Sequence, residues 1–122
     1  MEGTPIVDLR FDEVEGVPVV HLIGEIDLST ADEFQQRLLA ALSSQAPGLV
    51  LDLSETDYMD SSGLKVLFIT ASRLREIKRD FRLVLQESSP VANLLSVSGA
   101  EEALTVDRTV SDAVEALRAE PD

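Results

Sequence analysis

The spacing of apolar positions along the chain changes several times, and each change marks an element. Ile6-Val7-Asp8-Leu9-Arg10-Phe11 mixes apolar and charged residues nearly in alternation, the pattern of a half-buried edge strand. Glu15-Gly16 supplies a turn, and Val17 to Ile23 reads as a second, more buried strand, so the chain opens on a predicted hairpin. A helical period follows. Phe34, Leu38, Ala41 and Leu42 form the stripe of a helix capped by Ser29 or Thr30, with Asp32 and Glu33 in its first turn and its end near Ser44. After Pro47-Gly48, Leu49 to Leu53 is a short apolar strand, and an acidic loop leads from it to Met59-Asp60-Ser61-Ser62-Gly63-Leu64. Leu64, Leu67, Phe68, Ala71 and Leu74 then keep core spacing on a long helix. Phe81 to Leu85 is the next strand. Pro90 starts a helix carrying Val91, Leu94 and Leu95, and Gly99 stops it. Leu104 to Val106 is a last short strand. Thr109 caps a helix with Val110, Ala113, Val114 and Leu117 on one face, and Thr109-x-x-Asp112 is close to a capping box. Glu120-Pro121-Asp122 is expected to fray.

The predicted order β-β-α-β-α-β-α-β-α is a hairpin followed by strand–helix repeats. Right-handed crossovers of that kind build a small, mostly parallel α/β sheet with helices packed against it. At 122 residues and 44% hydrophobic content the chain suits one domain, residues 1–122, with one core. There is no cysteine, hence no disulfide, thiol nucleophile or thiolate metal site. Residues 1–20 lack the basic flank and apolar stretch of a secretory signal, and no apolar run approaches the roughly 20 residues of a membrane span. The expected place is the cytoplasm, with no membrane partner.

Charge narrows the partners. The net charge is −13, which argues against direct nucleic-acid binding, because phosphates need neutralising bases. Six of the ten bases nevertheless fall between 65 and 82: Lys65, Arg73, Arg75, Lys78, Arg79 and Arg82. That segment is net positive while the rest of the chain is strongly acidic. It reads either as a solvated helix face or as a patch that orients an acidic partner.

The chemistry concentrates at Asp60-Ser61-Ser62-Gly63. Two hydroxyls sit at a strand-to-helix junction, where unpaired N–H groups and the helix dipole favour an anion. Ser61 is either a plain cap or a site whose phosphorylation its own helix tolerates. Gly63 lets the backbone turn tightly and lets a partner approach. Asp60 either favours the helix electrostatically or is read by a kinase. Asp52, Asp57 and Asp60 invite a Mg²⁺ reading, but a receiver-type phosphate site needs an acidic pair after the first strand and a late Lys, and the chain has neither. His21, the only histidine, lies in a strand pattern as an exposed-face residue, without a nucleophile motif beside it. No cofactor-binding motif is present, and nothing points to an enzyme.

The junction resembles the phosphorylation loop of STAS-domain anti-sigma factor antagonists, whose pattern is apolar-Asp-Ser-Ser/Thr-Gly-Leu after a strand. Gly24-Glu25-Ile26-Asp27-Leu28-Ser29-Thr30 and the later Ser89-Pro90-Val91, Leu94-Leu95 and Ser98-Gly99 resemble two further family elements, in family order. The resemblance implies a STAS fold and a partner-switching regulator. Ser61 matches the phosphoacceptor and Ser62 the residue after it. Glu25, Asp27, Thr30, Asp60, Ser62 and Gly63 become partner-contact candidates. The implied partners are an anti-sigma factor that is itself a serine kinase of the histidine-kinase-like ATPase type, and a PP2C-type serine phosphatase. Nucleotide and Mg²⁺ would belong to the kinase. The alternative is a STAS module of a larger lipid-transport or stress-sensing complex that is never phosphorylated.

Overall fold

Strands β1 (Asp8–Val14) and β2 (Val17–Ile26) form the expected hairpin, paired antiparallel from Asp8↔Ile23 to Val14↔Val17. The computed structural model describes residues 7–119. Ile6 and the terminal Glu120-Pro121-Asp122 therefore lie outside the described residues. Both turn residues have positive φ, 51° at Glu15 and 85° at Gly16, as a two-residue turn matched to the twist of its strands requires. Then follow α1 (Ala31–Ala40), β3 (Gly48–Asp52), β4 (Thr56–Met59), α2 (Ser61–Glu76), β5 (Asp80–Val84), α3 (Pro90–Ser98), a single 3₁₀ turn, β6 (Thr105–Asp107) and α4 (Val110–Ala119).

The strand order is β1-β2-β3-β5-β6, with β4 pairing β2 off that path. Every pair except β1–β2 is parallel. The mixed, mostly parallel sheet matches the expectation, with one addition. Residues 56–59 are a strand and not loop. Thr-Asp-Tyr-Met has no clean alternation to announce it. It pairs with the last residues of β2, beyond the point where β2 leaves β3.

Two hydrophobic clusters flank the sheet. The larger lies under α1, α2 and α3, and gathers Leu22, Ile26, Phe34, Leu38, Leu49, Leu51, Leu67, Leu83 and Leu95. The smaller joins Val17, Val19, Val50 and Val84 to Ala113, Val114 and Leu117 of α4. The whole of β3 is buried because Leu49 and Leu51 face one cluster and Val50 the other, which explains its unbroken apolar run. Burying each of these side chains stabilises the fold by about 1.5–3 kcal/mol before entropy is counted.

Helix ends follow local chemistry. Ser89 accepts from Ala92 N at 3.0 Å, Pro90 opens α3, and Gly99 ends it with φ 77°. Thr109 Oγ1 accepts from Asp112 N at 3.0 Å at the start of α4. Helix α1 ends at Ala40, earlier than its sequence pattern predicts. Here Arg79 intervenes. Its guanidinium donates to the carbonyls of Ala46 at 2.7 Å, Ser44 at 2.9 Å and Ser43 at 3.4 Å, so those groups face the end of α2 instead of continuing a helix.

Candidate functional site: the paired ends of β2 and β4

The site is built by the β2–β4 pairing. Glu25 is in register with Tyr58 and Ile26 with Met59, and Asp60 N donates to Ile26 O at 3.3 Å. The β2–α1 segment starting at Asp27 and the α2 start at Asp60 thus leave the sheet side by side. Gly63 closes the corner. A methyl group at its Cα would lie 2.5 Å from Met59 Cγ and 2.9 Å from Ile26 Cγ2, so only glycine lets α2 settle onto both strand ends.

Helix α2 begins differently from the simplest expectation. Asp60, not Ser61, is its N-cap. The Asp60 carboxylate accepts from Ser62 N at 2.8 Å and Gly63 N at 3.4 Å. Ser61 is the first helical residue and is exposed, and its hydroxyl has no hydrogen-bond partner among the described residues. Capping therefore does not account for Ser61. An exposed, unengaged hydroxyl sits beside a carboxylate that already uses the N–H groups of the first turn.

The neighbouring loop is self-bonded. Asp27 Oδ1 accepts from Ser29 Oγ at 2.6 Å and from Ser29 N at 2.9 Å. The Ser29 hydroxyl first, and its amide next, hold the Asp27 carboxyl below the usual aspartate range. Thr30 Oγ1 accepts from Asp27 N at 3.2 Å and makes no cap bond to α1, although Thr30 occupies the N-cap position. Of the expected contact residues, Glu25 and Asp27 are exposed, Asp60 and Ser62 half-buried, and Thr30 and Gly63 buried. The last two hold the loops in place and offer a partner little surface.

Other residues stand out only in three dimensions. Leu28 is 80% exposed at the tip of the β2–α1 loop, and Tyr58 is 49% exposed beside Glu25. An apolar residue inside a polar turn was the available signal for Leu28. His21 is half-buried, unlike the exposed strand residue expected, and its Nδ1 lies 2.7 Å from Asp52 Oδ2. Asp52 also accepts from Ser54 N and Oγ. The three aspartates considered for Mg²⁺ are thus divided, Asp52 toward His21 and Ser54, Asp60 toward its helix. Among the described residues no group of three or more His, Asp or Glu is arranged to hold a metal ion.

The basic cluster divides as well. Arg79 is tied to the α1–β3 connection, and Arg82 pairs with Asp107 at 2.8 Å and Asp80 at 3.0 Å. Lys65, Arg73, Arg75 and Lys78 are exposed, with no ion pair among the described residues.

The sequence pattern of the STAS domain family matches residues 8–113, a span that takes in the hairpin, the β2–β4 corner and the start of α4. The chain belongs to the STAS domain family. Anti-sigma-F factor antagonist RsfB of Mycobacterium tuberculosis is 28% identical over 118 residues, which is 97% of this chain and 95% of that protein. The anti-sigma F factor antagonist of Paenibacillus polymyxa is 32% identical over 94 residues, 76% of this chain and 80% of the relative. In three dimensions the chain is similar to the crystal structure of an anti-sigma factor antagonist from Mycobacterium paratuberculosis. The TM-score is 0.82 and the identity 29%, covering 93% of this chain and 95% of that one. Within this STAS fold, no helix of the described residues is long and apolar enough to cross a membrane.

Proposed function

We propose that the protein is an anti-sigma factor antagonist, a regulatory binding protein and not an enzyme, that acts in the cytoplasm. The unphosphorylated protein binds an anti-sigma factor and frees the sigma factor. The anti-sigma factor is a serine kinase that phosphorylates Ser61 and so releases itself. A PP2C-type serine phosphatase restores the unmodified form. The names borne by the relatives support the first part. One observation carries the second: Ser61 is an exposed hydroxyl without a structural task, because Asp60 caps α2 in its place.

The surface around Ser61 fits a charge switch. Glu25, Asp27, Asp57 and Asp60 all lie on the two chain segments that meet there. Phosphorylation adds roughly −1.5 to −2 charge near neutral pH to a region already acidic. A partner that tolerates the unmodified carboxylates meets a different surface afterwards, while the buried strand ends stay as they are. Glu25, Asp27, Asp60 and Ser62 are the contacts in this reading, and Thr30 and Gly63 keep them in place.

The test is intact-mass analysis after incubation with Mg-ATP and candidate serine-kinase anti-sigma factors, each tried separately. Wild type and Ser62→Ala gain one phosphoryl group, and Ser61→Ala gains none. Labelling of Ser61→Ala at another serine would refute the assignment. A wild type that none of the kinases binds or labels would favour a STAS module that is never phosphorylated.

A further inference from the structure

An anion attached to Ser61 finds two of the N–H groups at the start of α2 already engaged. Those of Ser62 and Gly63 donate to the Asp60 carboxylate. A phosphate there would also share the corner with Glu25, Asp27 and Asp57, so repulsion dominates its immediate surroundings. Along the first two turns of α2, Ser61 to Phe68, the only cation is Lys65. No base occurs from Gly24 to Thr30 or from Ser54 to Asp60.

Lys65 stands four residues after Ser61, so the two share one face of the helix, and both are exposed. Helical side chains lean toward the N-terminus, which carries the Lys65 ammonium over the turn where Ser61 lies. An acid placed N-terminal to a lysine at this spacing is the better of the two orders. Lys65 has no ion pair among the described residues, so no existing contact must break.

We propose that Lys65 is the counter-ion of a phosphate on Ser61 and turns it back along the outer face of α2, away from the carboxylates of the corner. Lys65 is thus a positioning residue for the modified state and idle in the unmodified one. The inference rests on Ser61 being the modified residue, and its test is independent of any kinase.

Phosphoserine installed at position 61 during synthesis gives homogeneous protein, and its second ionisation is followed by phosphorus NMR. The neighbouring carboxylates raise the midpoint above its ordinary value of about 6, and a nearby cation favours the dianion, so Lys65 holds the wild-type midpoint below that of variants lacking it. Lys65→Gln raises it by about 0.3 pH unit, the size expected of one exposed pair at this spacing. Lys65→Glu raises it further, and Lys65→Arg keeps it low. Added salt shrinks the differences. Circular dichroism of the unmodified variants matches wild type, since the side chain is exposed. Equal midpoints for wild type, Lys65→Gln and Lys65→Glu would overturn the proposal while leaving the kinase reading untouched. Failure of every kinase to label Ser61 would do the reverse.

Discussion

Replacing Gly63 by alanine tests the geometry of the corner directly. On helix propensity alone the change should stabilise α2, by at most about 1 kcal/mol. The tertiary contacts oppose it. The new methyl would stand 2.5 Å from Met59 Cγ and 2.9 Å from Ile26 Cγ2, both closer than carbon atoms can approach. Ile26 is fully buried, β-branched and fixed by the β2–β4 ladder, and Met59 is 5% exposed, so neither can move without disturbing the core. Overpacking of this kind costs about 1–3 kcal/mol. With the full propensity gain subtracted, the net loss is about 0–2 kcal/mol, a fall in melting temperature of up to roughly 8 °C. Urea unfolding with the slope unchanged measures it. A double-mutant cycle isolates the cause. Met59→Ala is itself destabilising, by about 2–5 kcal/mol, but in that background adding Gly63→Ala costs less than it does in wild type, because the closest contact has gone. A Gly63→Ala protein more stable than wild type would refute the argument, as would strict additivity with Met59→Ala.

Arg79→Ala removes three charged hydrogen bonds to the α1–β3 connection and should cost about 1–2 kcal/mol, whereas Arg73→Ala should stay within about 0.5 kcal/mol; thermal unfolding of the two side by side checks whether the basic cluster really divides into structural and free members. Asp27 should titrate below the ordinary aspartate value near 3.9 in NMR, and Ser29→Ala should return its midpoint upward. The sign follows: a carboxyl depressed in the folded state stabilises it above the unfolded pKa, and that contribution disappears as pH falls through the folded midpoint.

Much of the fold was legible from local pattern. The Phe34-Leu38 and Leu64-Leu67-Leu74 stripes, the Glu15-Gly16 turn, the Ser89-Pro90 and Thr109 starts and the Gly99 stop each depend on residues within a few positions of one another, so the sequence specifies them without help. The strand-to-helix junction was legible for the same reason, since Asp60-Ser61-Ser62-Gly63 is contiguous. What lay outside local reach needed a distant partner. Thr56–Met59 becomes a strand because the end of β2 offers it a ladder. Helix α1 stops at Ala40, and the chain beyond it is held by Arg79 through the carbonyls of Ser43, Ser44 and Ala46, more than thirty residues away in sequence. His21 is half-buried because Asp52 waits on the adjacent strand. The capping role fell to Asp60 and not Ser61 because the hydrogen bond from Asp60 N to Ile26 O fixes where the extended chain ends and the helix begins. Sequence alone determined which groups were available at the corner of β2 and β4; the parallel pairing of two segments some thirty residues apart decided which of them were used by the fold and which were left facing out.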